Sequence, residues 1–535
     1  MVTTTWIAGS GDWNTASNWS NGVPTAADDA VFSNGSSAFG SDTVTGNGPA
    51  ASLDVLPTDF TFFAGTHAVG TFTENTFYSS LLGGAAIGFG SATISGGAQP
   101  GGAELLVQAG ASFGAGPLTL HDADVAVASG VLASPITLVN EAGVSGKTAT
   151  LSGLISGTGE LYLADNVVLA NPGNTYSGGT AIGLGGVYDP FRTGLDHVEI
   201  GAGTAAGSGP IGLGSGTLTL DPGAVVGPIT AANGLPGTAE IDASDQADTV
   251  FAGQTGLIYN NGSGRPTIVG GVQPGPGLGG GQPLIFGTMT IQGGTGSVTV
   301  FGGNSSGVFH GGTAGNNLLF GGADLSGFPP VEDGGYFQGA SAYTPAPVTM
   351  YGGGNNDLLV AGGTDNSYPS AVSKANVLVA AGGSETLTGS GSTGRNVFYG
   401  GSGADVIAAG GGASTVVAGN GAATISGGSG TAAIFAGAGQ DVVLGGTGAD
   451  YVQAGTGNAT LFAGSGMDLI GVVNGQAGGS LVVAGFRPAT DRVSAQGYAG
   501  APTVTAAGGN TVLTFSDHTR VTLLGVASLP GSAFS

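Results

Sequence analysis

The stretch GGSGADVIA AGGGASTVV AGNGAATIS GGSGTAAIF AGAGQDVVL GGTGADYVQ AGTGNATLF AGSGMDLIG, from Gly400 to Gly471, divides without a gap into eight nine-residue units. The first four positions of each unit are small residues, mostly glycine. The eighth is apolar throughout: Ile407, Val416, Ile425, Ile434, Val443, Val452, Leu461 and Ile470. Glycine enters the backbone conformations a tight turn demands, and the alternating residues that follow suit a short half-buried strand. One unit therefore reads as one turn plus one strand. Two units make one coil of a flattened parallel solenoid, with the eighth-position side chains stacked inward. No unit can bury its own apolar face, so only the stack is stable.

These units resemble the G-G-x-G-x-D-x-U-x nonapeptides of RTX proteins, whose β-roll binds calcium in its turns. GGSGADVIA and GGTGADYVQ match at every position, and AGAGQDVVL and AGSGMDLIG differ only at the first glycine. The resemblance implies a calcium ion between turns on the same edge, shared by a unit and the next but one. Calcium takes about six to eight oxygen ligands, so the sixth position of the unit matters most. It holds Asp405, Ser414, Ala423, Ala432, Asp441, Asp450, Ala459 and Asp468. On that rule Asp450 and Asp468 pair, whereas Asp405 and Asp441 each face an alanine turn. The upstream unit GGGNNDLLV adds Asp357. The expected cofactor is Ca2+ and the expected metal residues are Asp450, Asp468, Asp441, Asp405 and Asp357, with the best site at Asp450 and Asp468. The competing reading is that these aspartates only hydrogen-bond the backbone of their own turns.

Composition narrows the function. Among 535 residues, 8 are basic and 33 acidic, a net charge of −25 from only 8% charged residues. So few lysines and arginines leave no basic surface for nucleic acid or an anionic membrane; cations are the expected partners. No run approaches the roughly 20 apolar residues of a membrane helix. Glycine fills 112 positions, but 41% of residues are apolar and fall in short alternating runs, which argues for an ordered all-β chain. There is no cysteine, so stacking and metal must replace disulfides.

The remaining segments extend the solenoid reading. All three tryptophans, Trp6, Trp13 and Trp19, lie in the opening segment, where they are expected to form an aromatic cap over residues 1–34. A carbohydrate grip beside Asp28 and Asp29 is the alternative. From about 35 to 289, glycine-punctuated alternating segments read as a parallel β-helix or an irregular sandwich. Within them NTYSGGT, Asn174 to Thr180, resembles the passenger-associated repeat of autotransporter β-helices. Pro266 to Gln282 reads as a junction or a protruding loop. Degenerate, then regular, nine-residue units follow over 290–471. They are interrupted by insertions that include an aromatic loop from Phe328 to Tyr343, a candidate contact surface.

Residues 472–535 read as a C-terminal β region with a hairpin turn at Ser516 to Thr519. Its GF…DR and LxGV elements resemble the C-terminal segment of type I secretion substrates. The N-terminus, MVTTTWIAGSGDWNTA, lacks the pattern of a Sec signal. An extracellular or cell-surface location in bacteria follows from these resemblances.

Catalytic motifs are missing from the linear sequence. The basic residues are scattered, and the five histidines show no metal spacing. The densest carboxylate group is AEIDASDQADTV, with Glu240, Asp242, Asp245 and Asp248, and alternation would place Glu240, Asp242 and Asp248 on one side of an unbroken strand. The expectation is a non-enzymatic, secreted structural protein: an all-β chain of parallel β-helix followed by an RTX-like β-roll, assembling with copies of itself into a surface layer, filament or biofilm matrix. An adhesin that binds cell-surface polysaccharide and a polysaccharide-degrading enzyme using Asp242, Asp245 and Asp248 are the alternatives.

Overall fold

In a computed structural model, the structure describes residues 1–33, 41–56, 60–75, 79–81, 83–96, 103–184, 196–231, 238–252, 256–270, 288–303, 305–321, 347–362, 375–392 and 394–534. Among the described residues there is no α-helix. The chain forms two compact units, 1–251 and 252–535. Across the Pro266 to Gln282 stretch, strand Gly256–Asn261 pairs with Met289–Gln292, and Thr267–Val269 pairs with Thr299–Phe301. Residues 271–282 of that stretch and the Phe328 to Tyr343 loop lie outside the described residues.

The first unit is a run of parallel pairs, as expected of a β-helix rather than a sandwich. Thr3–Trp6 pairs with Asp29–Phe32, which pairs with Gly48–Val55, then Thr66–Glu74, Ala86–Ser95 and Leu118–Val127. Because strand side chains alternate, every second residue points inward, and in-register partners form columns. Ala30, Leu53, Phe72, Ala92 and Leu118 make one such column, none more than 3% exposed.

The tryptophans plug the interior of the first coils. Trp6 and Trp13 are fully buried and Trp19 is 3% exposed. Trp19 meets Trp6 and Trp13 edge-on at ring-centroid distances of 5.0 and 4.8 Å, and Phe32 stacks on Trp6 at 5.5 Å. Rings buried in this way present no face to a sugar, so the tryptophans form a cap and not a carbohydrate grip.

The NTYSGGT element pins coils together. Asn174 Oδ1 accepts the Ile155 N–H at 2.9 Å, and its Nδ2 donates to the Ala205 carbonyl at 2.9 Å, so one amide bridges the coil before and the coil after. Tyr176 is fully buried, its hydroxyl 2.7 Å from Thr180 Oγ1.

The second unit has the two-faced winding that the nine-residue period demands. Face one runs through Leu318–Phe320, Leu358–Val360, Thr386–Thr388, Asp405–Ala408, Ala423–Ser426, Gln440–Leu444, Asn458–Phe462 and Ser480–Ala484, all parallel. Face two runs through Gly307–His310, Val348–Tyr351, Asn376–Val379, Asn396–Tyr399, Ser414–Val417, Ala432–Phe435, Tyr451–Gln453, Leu469–Val473 and Arg492–Gln496. Ile407, Ile425, Val443 and Leu461 stack inward from one face, and Val416, Ile434, Val452 and Ile470 from the other, none more than 1% exposed. Burying each such side chain contributes about 1.5–3 kcal/mol.

Glycine is required in the turns chiefly by proximity. A Cβ on Gly446 would run into the carbonyl oxygen of Gly428, one coil below, and Gly428 itself has φ +75°, a region that favours glycine. The nine-residue spacing ends at Gly471, but parallel winding continues to Gln496 through strands spaced by longer turns. An antiparallel meander of Thr503–Ala507, Asn510–Thr514 and Arg520–Leu523 follows, and its last strand pairs in parallel with Ser480–Ala484.

Candidate metal edges of the repeat region

Winding places the sixth-position residues in two columns, one along each edge. On face one the register aligns Asn317, Asp357, Glu385, Asp405, Ala423, Asp441 and Ala459. On face two it aligns Asn376, Asn396, Ser414, Ala432, Asp450, Asp468 and Asp491. Asp450 and Asp468 are thus neighbours on one edge. Asp441 lies between two alanines. Asp405 meets Ala423 on one side, but on the other it meets Glu385.

Glu385 and Asp491 are the two acids that the sequence reading passed over. Glu385 occupies the sixth position of AAGGSETLT, where only aspartate was sought. Asp491 follows Asp468 by 23 residues instead of 18, because the intervening loop and turn are longer.

Each aspartate holds the same posture. Its Oδ2 accepts the N–H of the residue four before it: Gly401 to Asp405 at 2.6 Å, Gly437 to Asp441 at 3.0 Å, Gly446 to Asp450 at 3.0 Å and Gly464 to Asp468 at 3.0 Å. Its Oδ1 accepts an N–H from the coil below: Glu385 to Asp405 at 3.0 Å, Ala423 to Asp441 at 2.9 Å, Ala432 to Asp450 at 2.9 Å and Asp450 to Asp468 at 3.4 Å. Asp357 does likewise, with Gly353 at 2.7 Å and Asn317 at 2.8 Å. These carboxylates therefore tie turn to turn as well as closing their own turns.

The electrostatics leave a charge unanswered. Asp405, Asp441, Asp450 and Asp468 are at most 2% exposed, and among the described residues none has an ion-pair partner. Burial raises the carboxyls of Asp441 and Asp450 above the usual range. It pushes Asp468 up to about 6, with the neighbouring Asp450 and Asp491 charges adding to the effect. Burial also raises Glu385, and Asp405 and Asp357 raise it further. An ionised carboxylate accepting one N–H per oxygen keeps lone pairs for a cation.

Among the described residues no three acidic or histidine side chains converge on a point. The carboxylates are strung one per coil, so the remaining ligands of a bound ion would be main-chain carbonyls. The turns offer them: carbonyls of Gly428, Gly430, Gly446 and Gly448 stand against the glycines one coil above, with no side chain between. Buried carboxylate plus carbonyl oxygen is the donor set of calcium.

The carboxylate group of AEIDASDQADTV is differently placed. Strand Thr238–Ala243 ends before Asp245, so Asp248 does not share a strand with Glu240 and Asp242. Asp245 Oδ1 accepts the Gly223 N–H at 2.9 Å and Gln246 Nε2 at 3.0 Å, closing a turn. Burial, with the Asp245 charge, pushes Asp248 up to about 6.

A family model of the RTX calcium-binding nonapeptide repeat matches the chain in four copies, over residues 379–416, 417–452, 426–461 and 435–470. Residues 379–470 are an array of these calcium-binding motifs, seated at the C-terminal part of a parallel β-solenoid. Comparison with curated proteins gave no match. Repeats of this kind are typical of secreted bacterial proteins. No helix is long and apolar enough to cross a membrane among the described residues.

Proposed function

We propose that the protein is a secreted structural protein, a calcium-stabilised solenoid that packs against copies of itself into a surface layer, filament or biofilm matrix. The observation that carries this reading is the outer surface of the repeat region. Among the described residues, the strands from Val348–Tyr351 to Leu469–Val473 carry no charged side chain on their outward positions; their two acids, Asp405 and Asp441, are buried. Val406, Leu444 and Phe462 project from face one at 42–48% exposure, and Tyr399 from face two at 43%. Soluble surfaces ordinarily intersperse charges of both signs, and extended apolar patches mark association sites. Two such flat, uncharged faces suit copies laid side by side.

Calcium acts in this reading as the stiffener. Asp450 and Asp468 supply side-chain oxygens at the best site; Asp441, Asp405 and Asp357 supply them elsewhere. A roll whose buried carboxylates lack a counter-charge closes poorly in a calcium-poor cytosol and closes outside, which also suits export through a C-terminal signal. The role needs no catalysis.

Electron microscopy of the full chain tests the assembly. Ordered sheets or fibres with calcium, dispersing in chelator, are expected. Val406→Lys with Leu444→Lys should abolish them while leaving calcium uptake intact. Monomers under both conditions would defeat the assembly reading. Release of reducing or unsaturated sugar from a polysaccharide, lost in Asp245→Ala, would defeat the non-enzymatic one.

A further inference from the structure

The acidic column on face two ends differently from the way it begins. Asp450 takes the N–H of Gly446, and Asp468 takes that of Gly464; one coil further, Asp491 takes that of Arg487 at 2.7 Å. Arg487 thus stands where the lower turns have glycine. Its guanidinium reaches back across the gap between coils. Nη1 donates to the Ser465 carbonyl at 2.9 Å, and Nη2 donates to the Gly466 carbonyl and to Asp491 Oδ1, the latter at 3.1 Å.

The donor types around this guanidinium are those that the lower gaps offer a metal: main-chain carbonyls of one turn and a buried carboxylate of the next. The Asp491 side chain is fully buried, and its Oδ1 also accepts the Asp468 N–H at 3.3 Å and the Thr490 hydroxyl at 3.2 Å. A planar fork can hold two carbonyls and a carboxylate at once, which a surface ion pair does not do. The turn itself, Gly485 to Asp491, contains Pro488 and Ala489 in place of the glycine pattern.

We infer that Arg487 is a tethered cation that takes the place of calcium in the last gap of this edge. The calcium stack ends below it, and the terminal coil closes without metal. This rests on calcium binding by the repeats and is independent of whether copies assemble.

Calcium stoichiometry by titration calorimetry and amide exchange in chelator, both on the full chain, test the inference. Arg487→Gly restores the residue found in the lower turns and empties the gap. It should bind one calcium more than the unaltered protein. In chelator the Asp468 and Arg492 amides should exchange at least about tenfold faster, returning to the original rates with calcium. Unchanged stoichiometry and exchange would overturn the inference. Asp491→Asn with Arg487 kept provides an arm that does not depend on that variant folding: calcium stoichiometry should stay the same. Loss of one ion would mean that Asp491 already ligates calcium, and would overturn the inference. An unaltered chain that takes up no calcium would overturn both this inference and the calcium reading beneath it.

Discussion

Asn174 in the first unit and Asp450 in the second perform the same task by different chemistry. Asn174 bridges neighbouring coils with a neutral amide that donates on one side and accepts on the other. Asp450 also spans two turns, but it can only accept, and it brings a negative charge into a buried place. The neutral pin is complete on its own, whereas the charged one asks for a counter-ion. The cores differ correspondingly: tryptophan and phenylalanine fill the first coils, while in the repeat coils the inward stack is built of Val, Ile and Leu. The same winding can therefore be built to stand unaided or to wait for an ion.

The largest expected effect that separates the two regions is metal removal. In chelator, residues 400–464 should lose amide protection while the described residues among 1–231, and the terminal coil held by Arg487, keep it, as read by exchange mass spectrometry. Equal loss, or none, in both regions would dissolve the contrast. Asp450→Ala with Asp468→Ala should raise the calcium concentration needed for folding of the repeat region only.

Next come two substitutions, one in each region, whose cost calcium should not remove. Trp13→Ala should destabilise the first unit by about 3–5 kcal/mol, with no rescue by calcium. Gly446→Ala forces a Cβ onto the Gly428 carbonyl and should cost the repeat region about 1–3 kcal/mol or more. Its denaturant midpoint in calcium should fall, and further calcium should not restore it.

A smaller and pH-dependent effect belongs to the first unit alone. His67 is fully buried, its ring 4.4 Å from Trp13 and 5.7 Å from Phe63, and burial pushes its pKa down to about 4. The folded state therefore favours the neutral ring. Stability is intact above the unfolded value near 6.5 and falls as pH drops from there through about 4, by up to roughly 3 kcal/mol. Thermal melts of His67→Gln should lose that slope in the first unit; an unaltered slope would assign it to other groups.

How far the sequence could be read follows from where the determining contacts lie. The inward stack of Ile407 to Ile470 was legible because a strict period repeats the same local demand eight times. The tryptophan cluster was legible as a local group. Its contact with His67 was not, since it depends on how the intervening coils wind. Asp450 beside Asp468 follows from counting eighteen residues; Asp491 does not, because the longer loop breaks the count. Glu385 kept the count but changed the residue. Arg487 was invisible for a different reason: in sequence it neighbours a proline, and only the folded turn aims its guanidinium at Ser465 and Gly466.

The bare strand faces carry a consequence for order. Successive coils repeat similar small and apolar groups at about 4.8 Å intervals, so a neighbour displaced by one coil finds nearly the same landing. Such a surface sticks without measuring. Whatever fixes the lateral offset between molecules has to come from features that occur once per chain, and the repetition that makes the roll easy to wind is what removes the ruler from its sides.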